Sequence, residues 1–458
     1  MDKDNKQNHS NQIDMLHGPL LMKILLFSLP LAASSILQQL FNSIDIAVVG
    51  RFVGSDALAA VGSNSPVISL MINLFVGISL GANALISNQL GCNNEEGVKK
   101  AVSTVAVLAI WSGIVLMLLG LFIARPILTL IDTPNEVLDM AVLYLQIYFI
   151  GIPFFMIFNF GAAILRSKGD TRRPLYILVL AGILNTILNL IFVLVFEMGV
   201  EGVAIATGIA NVLSATLIVY LLVKEKGPLK LDVKSMKIHN RELWRILKIG
   251  VPAGLQGMVF SISNVIVQST INSYGACAIA GSASAQNFEY YCYFIMVAFN
   301  GAAISFIGQN YGAGNLKRVK QIFKICLSLC LVSCFMANMM FVMFDDFFLN
   351  IFSKDPSVHF YGDIRIHTVL ALQWIACSYE VAGSSMRGMG RSLTPTIFVI
   401  LGTCVLRIIW VFLVCPKWHG FDVLLSIYPI TWVVTGTMVI TAFLLLLKNE
   451  AKKQYMNK

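Results

Sequence analysis

Charge is what this sequence has least of. Only 12% of its 458 residues are charged, whereas 57% are hydrophobic and the mean hydropathy is +0.77. Soluble globular domains carry about 25% charged residues, so the composition excludes a large soluble catalytic domain and indicates a bilayer protein. The net charge of +9 does not indicate a nucleic-acid partner, because the basic residues lie in short loops between apolar runs.

Several chemical signatures are also missing. The nine cysteines include no CxxC pair, and three of them, Cys326, Cys330 and Cys334, recur every four residues, which predicts packing residues on one helix face. The polar N-terminus has no signal-peptide pattern. No HExxH motif occurs and the six histidines lie in loops or at the ends of apolar runs, so we expect neither an intramembrane enzyme nor a cofactor or resident metal.

Long apolar runs fill most of the chain. Each is long enough to cross a bilayer, which takes about 20 residues. The twelve segments are 22–49, 57–89, 101–124, 136–165, 174–196, 200–223, 245–272, 276–310, 322–344, 361–386, 393–415 and 421–447. An even number places both termini on the same side of the membrane.

The basic residues indicate which side that is. Most of the 33 Lys and Arg residues lie on the side of the termini. The exceptions are Arg407, within a span, and on the opposite side Arg51, Arg125, Lys354, Arg365 and Lys417. Because cytoplasmic loops carry an excess of Lys and Arg, we expect cytoplasmic termini and a multi-pass protein of the plasma (inner) membrane.

Three motifs recur 221 positions apart. The pairs are GSDALAAVGS from Gly54 with GACAIAGSAS from Gly275, LGCNNEEGVKK from Leu90 with YGAGNLKRVKQ from Tyr311, and LRSKGDTRRP from Leu165 with MRGMGRSLTP from Met386. The repeat predicts an N-lobe over 1–223, a cytoplasmic linker over 224–244 and a C-lobe over 245–458. We expect two parallel six-helix lobes related by a pseudo-twofold axis along the membrane normal. This architecture is typical of transporters that work by alternating access.

The matched loops contain glycines and arginines whose simplest interpretation is structural. We expect tight turns at the glycines, among them Gly169 and Gly390, and membrane anchoring by Arg166 and Arg387. These residues are therefore not site candidates.

Several ionisable residues lie near the ends of the predicted spans, and four are clear instances of one inside the hydrocarbon: Asp45, Glu289, Glu380 and Arg407. A charge at the bilayer centre costs about 2.5–3.5 kcal/mol on insertion scales, so each of these residues is expected to have a functional or structural role. For Asp45 a transport role is the favoured interpretation. For the two glutamates a transport role and a static ion pair with Arg407 are both open, and Arg407 itself is expected to be a structural counter-ion.

Neutral polar residues accompany these charges in the first half. They are Asn42, Asn159, Asn185, Asn189 and Thr207. Asn185 and Asn189 are four positions apart and therefore share a helix face. Amides in membrane helices serve either as packing contacts or as the lining of a cavity, and two on one face favour the cavity.

The sequence resembles the multidrug and toxin extrusion (MATE) family over essentially its whole length. The segments that carry the resemblance are LPLAASSILQQLFNSIDIAVVGRFVG, LGCNNEEGVKKA, LRSKGDTRRP, LNTILNLIFV, GVEGVAIAT, GQNYGAGNLKRV and MRGMGRSLTP. The resemblance implies an all-α membrane protein of twelve helices.

It also implies a cation-coupling site in the N-lobe. The positions that match the family pattern are Asp45, Asn159, Asn185, Asn189 and Thr207. Many members carry aspartate where this chain has Asn189, so the choice between proton and sodium stays open here. In the second lobe, Glu289 and Glu380 resemble acids that some bacterial branches carry.

The function implied is secondary efflux: an antiporter that exports organic, cationic and amphipathic compounds in exchange for protons or sodium. Its partners would be small solutes, these ions and lipid, and we expect a monomer. A flippase for lipid-linked saccharides on the same fold is the nearest alternative, although it would favour a basic cleft. A major-facilitator transporter lacks support because its GxxxDRxGRR-like loop is replaced by GCNNEEGVKK. A channel is a further alternative, but it would not need two repeated lobes that rock against each other.

Overall fold

The computed structural model describes residues 12–131, 133–418 and 420–456, and in these ranges every regular element is a helix. The α-helices are α1 Leu20–Val48, α2 Ser55–Gly91, α3 Glu95–Leu130, α4 Asn135–Ser167, α5 Arg172–Leu190, α6 Val200–Lys224, α7 Asn240–Asn272, α8 Ala276–Gly312, α9 Leu316–Met343, α10 Asp345–Asn350, α11 Pro356–Thr368, α12 Cys377–Gly388, α13 Leu393–Val399, α14 Leu406–Ile409, α15 Phe421–Leu425 and α16 Ile427–Met456. In the described ranges, eleven helical segments are long and apolar enough to cross a membrane.

The tenth predicted span is interrupted. It consists of α11 and α12 joined by a 3₁₀ segment, Leu370–Ala376. The twelve apolar segments are therefore all helical, but this one is divided into pieces too short to cross a bilayer individually. The break places the two halves of the span in different helices.

The repeat read from the sequence is also a repeat of local structure. Helix α3 begins after Asn94, whose side chain accepts a hydrogen bond from the backbone N–H of Gly97 at 2.9 Å. Helix α9 begins after Asn315, whose side chain accepts from the N–H of Arg318 at 3.1 Å. Such caps satisfy amide groups that would otherwise lack a partner at the helix start.

The glycines of the third matched motif lie in tight turns, as predicted. Gly169, after α4, has a φ of +98°, and Gly390, after α12, has a φ of +77°. At Gly169 a Cβ atom would lie 2.4 Å from the carbonyl oxygen of Ile13, so space as well as backbone conformation requires glycine there.

Backbone contacts divide the chain into two compact units. Unit 1 contains Leu29–Gly254 and unit 2 contains Pro19–Ser28 together with the chain from Leu255 onward. Unit 1 is built on a continuous apolar core to which α2, α3, α4 and α6 contribute. The start of α7 joins it through glycines, since a Cβ at Gly77 would lie 2.2 Å from the backbone nitrogen of Gly254.

Unit 2 has its own aromatic core. The ring of Phe288 in α8 lies 4.9 Å from that of Phe341 in α9 and 5.3 Å from that of Phe348 in α10. The three cysteines of α9 are fully buried, as the four-residue spacing predicted. Each unit therefore buries its own side chains and can hold polar groups in a fixed position.

Candidate ion and substrate sites

Two of the membrane helices change their winding next to the residues of interest. Helix α1 continues into a π-helical segment, Val49–Val53, and α5 continues into another, Ile191–Val195. Asp45 and Asn189 each lie in the last turn before such a segment. Wide π turns within α-helices are frequent at functional sites.

Asp45, Asn185, Asn189 and Thr207 form one hydrogen-bonded group in unit 1, which we call the Asp45 group. The amide of Asn189 donates to Oδ1 of Asp45 at 2.5 Å, and the hydroxyl of Thr207 is 3.4 Å from Oδ2. Asn185 donates to Thr207 at 3.2 Å. The structure therefore brings together four of the five residues predicted for the N-lobe site.

The Asp45 carboxylate is enclosed without a compensating charge. It is 9% exposed, and within the described ranges no Lys, Arg or His lies within ion-pair distance of it. Its hydrogen-bond donors are a neutral amide and a hydroxyl. The side-chain oxygen of Asn189 is also buried and has no hydrogen-bond partner. A carboxylate in such a place can gain a proton or a cation.

Asn159 does not belong to this group. Its amide donates to the carbonyl oxygen of Phe155, one turn earlier in α4, at 3.0 Å. This is a local bond between a side chain and its own helix. Of the five predicted N-lobe residues, Asn159 is the one that makes no hydrogen bond to any of the other four.

Glu289, in unit 2, has a partner that the sequence did not indicate. Arg365 of α11 holds it with two parallel hydrogen bonds, from Nε to Oε1 at 2.6 Å and from Nη2 to Oε2 at 3.0 Å. Its Nη1 donates to Ser282 at 2.7 Å. The static pair of this glutamate with Arg407, one of the two alternatives that the sequence left open, is therefore wrong. Arg365, which was counted among the basic residues of the side opposite the termini, is 1% exposed.

The missed partner left a weak signal in the sequence. Arg365 stands in the first turns of the tenth apolar segment, and a charge there can belong either to the loop or to the span. The pair joins positions 76 residues apart, so only the packing of α11 against α8 decides between the two.

Glu380 has two polar neighbours, an amide and a positively charged side chain. Its Oε2 accepts a hydrogen bond from Asn300 at 2.7 Å, and the positive charge of Arg387, two turns further along α12, acts on it. Arg387 is 6% exposed and donates to Gln256 at 2.7 Å. The prediction of a membrane anchor is therefore wrong for Arg387, and Arg407 is not the recorded partner of Glu380.

Arg407 instead contacts neutral groups. Its Nη1 donates to the side-chain oxygen of Asn264 at 2.9 Å. Its Cζ lies 4.3 Å from the centre of the Tyr428 ring and 5.1 Å from that of Phe260. The prediction that Arg407 is a counter-ion to an intramembrane glutamate is therefore wrong.

Comparison with known proteins agrees with this architecture. The MatE family model matches residues 30–191 and 252–413. The chain is 29% identical over 404 residues to a probable multidrug resistance protein, YpnP, of Bacillus subtilis, which covers 86% of this chain and 88% of the relative. It is 26% identical over 315 residues to a protein named FAD transporter of Shewanella oneidensis, covering 67% and 69% of the two chains.

Solved structures agree on the fold. An outward-facing multidrug resistance MATE transporter aligns with a TM-score of 0.89 at 20% identity, over 97% of this chain and 99% of that one. The fold is thus that of a multi-pass, all-α membrane transporter with twelve helices in two lobes. The chain belongs to the MATE family, whose members are transporters.

Proposed function

We propose that the protein is an antiporter that exports organic, cationic and amphipathic compounds in exchange for protons. The observation that carries the proposal is the buried Asp45 carboxylate, which neutral groups hold and no described cation compensates. The relative from Bacillus subtilis, named for multidrug resistance, supports export of drug-like compounds.

The Asp45 group supplies the chemistry of exchange. A carboxylate that holds a proton is neutral and gains little from an organic cation, whereas the ionised form attracts one. Proton and substrate therefore compete for the same charge. Exchange of one proton for one monovalent cation moves no net charge, so the proton concentration gradient drives such an exchange. Each additional proton that moves inward would contribute about 2.3 kcal/mol for each 100 mV of membrane potential.

The contacts of Asn189 favour a proton over sodium. Its Nδ2 faces both Asp45, at 2.5 Å, and the side-chain oxygen of Asn185, at 3.3 Å. A sodium ion would need these oxygens as ligands, so the amide would first have to turn away. With asparagine in place of a second carboxylate, the group also offers a cation only one negative charge.

The sequence supports a proposal for the orientation of the protein in the membrane and for its two moving lobes. We propose cytoplasmic termini in the plasma (inner) membrane, from the distribution of Lys and Arg. We also propose an N-lobe over 1–223 and a C-lobe over 245–458 that alternate access as a monomer, from the parallel repeat. These features would let Asp45 meet the two sides of the membrane in turn.

The substrate class has to come from this chain's own residues, because the relatives carry different names. Two matched proteins of similar identity are named for multidrug resistance and for FAD. The flippase for lipid-linked saccharides remains the alternative on this fold, and a transport assay with a lipid-linked sugar separates it from drug export.

Transport into inverted membrane vesicles tests the proposal. A proton gradient and a sodium gradient are imposed separately, and uptake of a cationic dye is measured for the native protein and for Asp45→Asn. We expect proton-driven uptake by the native protein and its loss in the variant, with normal membrane yield, because asparagine keeps the shape but cannot ionise.

The matched control is Asp139→Asn. Asp139 is an exposed aspartate on α4 that pairs with the exposed Arg125, so its replacement should leave uptake unchanged. Normal proton-driven uptake by a well-inserted Asp45→Asn protein would remove Asp45 from the mechanism. Uptake driven by sodium alone would overturn proton coupling.

A further inference from the structure

Unit 1 contains an apolar cavity beside the segment that joins α6 to α7, residues 225–239, which we call the α6–α7 segment. The cavity has a volume of about 180 Å³, and every residue that lines it is apolar. Its walls include Ala106 of α3, Phe160 of α4 and Leu222 of α6, and Val233 closes it from the α6–α7 segment. Pockets for drug-sized ligands measure about 300–1,000 Å³, so this cavity suits a slender apolar chain.

Hydrogen bonds fix the α6–α7 segment over the cavity. The backbone N–H of Leu231 donates to the carbonyl oxygen of Leu222, in the last turn of α6, at 3.0 Å. Further along, the backbone N–H of Lys237 donates to the hydroxyl of Ser103 in α3 at 2.7 Å, and that hydroxyl donates to the carbonyl oxygen of Lys237 at 2.9 Å. The segment is therefore attached to both α6 and α3, and the cavity is a built feature of unit 1.

The same segment carries an excess of positive charge. Between residues 226 and 237 it has four lysines and one acid, Asp232. Asp232 accepts hydrogen bonds within its own turn, from the backbone N–H of Lys234 at 3.1 Å and from the hydroxyl of Ser235 at 2.7 Å. Lys234 and Lys237 are exposed, and each directly follows a residue that lines the cavity. Positive charge beside an apolar cavity complements an anionic headgroup that carries an acyl chain.

The position of the cavity along the helices also suits a lipid. Helix α6 ends at Lys224, two residues after the lining residue Leu222. The other lining residue of α6, Val219, lies about one turn deeper. Because the ends of membrane helices lie near the boundary between headgroups and hydrocarbon, a headgroup at the lysines and a chain in the cavity would each occupy its usual layer of the bilayer.

We propose that this cavity is a binding site for one acyl chain of an anionic phospholipid, whose headgroup contacts Lys234 and Lys237. The lipid comes from the leaflet that faces the proposed cytoplasmic side, and it fastens the α6–α7 segment to α3, α4 and α6. It is a resident ligand of unit 1 and not the transported compound. The inference goes beyond the export function, and lipid binding can be measured without transport.

Lipid binding to the purified protein tests the site. Delipidated protein in a mild detergent is titrated with phosphatidylglycerol or with phosphatidylcholine of identical acyl chains, and native mass spectrometry gives the Kd of the first lipid bound. We expect phosphatidylglycerol to bind about tenfold more tightly, because only its headgroup has a net negative charge. Equal Kd values would overturn the proposal.

A headgroup without chains separates a lipid site from a simple anion site. Glycerol 1-phosphate carries the phosphate but no acyl chain, so it should not displace phosphatidylglycerol when added at the same concentration as the lipid. Displacement at that concentration would mean that the lysines bind an anion alone, and it would overturn the role of the cavity.

Two pairs of lysines locate the headgroup. Lys234→Gln combined with Lys237→Gln should abolish the preference for phosphatidylglycerol and leave the affinity for phosphatidylcholine within about twofold. The matched control is Lys317→Gln combined with Lys320→Gln, which removes two exposed lysines at the start of α9 in unit 2 and should keep the preference. A preference that persists in the first double variant would contradict the inference.

Substitutions in the wall locate the chain. Ala106→Phe fills the cavity and should weaken binding of both lipids about tenfold, whereas Val115→Phe, at a position on α3 that is 40% exposed and does not line the cavity, should not. If Ala106→Phe does not fold, Val233→Gln takes its place, because Val233 lines the cavity but is 51% exposed and should tolerate a polar side chain. Native affinity for both lipids in either folded variant would place the chain elsewhere and contradict the inference.

Discussion

Asp45 in unit 1 and Glu289 in unit 2 are equally buried, each 9% exposed, but they have opposite partners. Neutral amide and hydroxyl groups donate hydrogen bonds to Asp45, whereas the guanidinium of Arg365 donates two hydrogen bonds to Glu289. The charge of a carboxylate that a guanidinium holds with two hydrogen bonds is already balanced, so it has no uncompensated charge to offer an exchanging cation. Burial alone therefore does not identify a coupling residue. The charge of the hydrogen-bonding partner decides whether a buried carboxylate is available to an exchanging ion.

The largest effect should come from breaking the pair in unit 2. Arg365→Met leaves Glu289 buried without a counter-charge and should destabilise the folded protein by about 3–5 kcal/mol. Adding Glu289→Leu should recover most of that loss, because two apolar residues replace the buried pair. Thermal unfolding of the purified protein in detergent measures both.

Arg125→Met is the control for this prediction. Its pair with Asp139 is exposed, and such pairs contribute about 0–1 kcal/mol. If Arg365→Met lowered the unfolding temperature no more than Arg125→Met does, the pair with Arg365 would not be what distinguishes Glu289 from Asp45.

A second carboxylate beside Asp45 should change the ion that the group accepts. In Asn189→Asp, two acidic groups in direct contact cannot both be charged without a cation between them, so sodium should stabilise the variant by about 1 kcal/mol once it exceeds its Kd several-fold. The native protein should not respond. The measurement is the unfolding temperature in sodium chloride against choline chloride.

Asn159→Asp is the matched control, because it adds the same charge at the predicted residue that lies outside the Asp45 group. It should show no stabilisation by sodium. An equal response of both variants would mean that the contact between residues 45 and 189 does not create the site.

A smaller difference should separate the two asparagines that the sequence assigned to one site. Asn185→Leu removes the donor to Thr207 and should lower export about tenfold, the cost of about one hydrogen bond in a buried group. Asn159→Leu should lower export less than twofold, because its recorded bond is to its own helix. Initial rates of dye export from cells with equal protein levels provide the comparison, and equal losses would restore Asn159 to the site.

The smallest effect concerns an acid outside the membrane spans. Glu225, after α6, accepts from Arg173 at 2.8 Å and from Lys168 at 3.2 Å. Burial raises the pKa of Glu225, but the bonds and charges of Arg173 and Lys168 outweigh this and hold the pKa below its ordinary value. Its contribution to stability should be complete above the unfolded pKa of about 4.5 and be lost as pH falls through the lower folded value.

Glu225→Gln should therefore flatten part of the fall in unfolding temperature below pH 4.5. The native protein and the variant are compared in the same detergent across that range. Parallel curves would mean that the ion pairs of Glu225 contribute nothing to stability.

The parts that the sequence predicted well are those encoded locally. Hydropathy located the spans, and the spacing of Asn185 and Asn189 placed both amides on one face of α5. The break between α11 and α12 was not predictable in this way, because Leu370–Ala376 contains neither proline nor glycine. The Glu289–Arg365 pair depends on the tertiary packing of two distant helices, which no local pattern records.

The most direct test of the central claim is the proton released when substrate binds. Purified protein in a weakly buffered solution with a pH indicator is mixed with a cationic dye near the midpoint of its pH dependence. We expect a measurable proton release from the native protein and from Asp139→Asn, and none from Asp45→Asn, because Asp45 exchanges its proton for the cation. Undiminished release from an Asp45→Asn protein that still binds the dye would contradict the account.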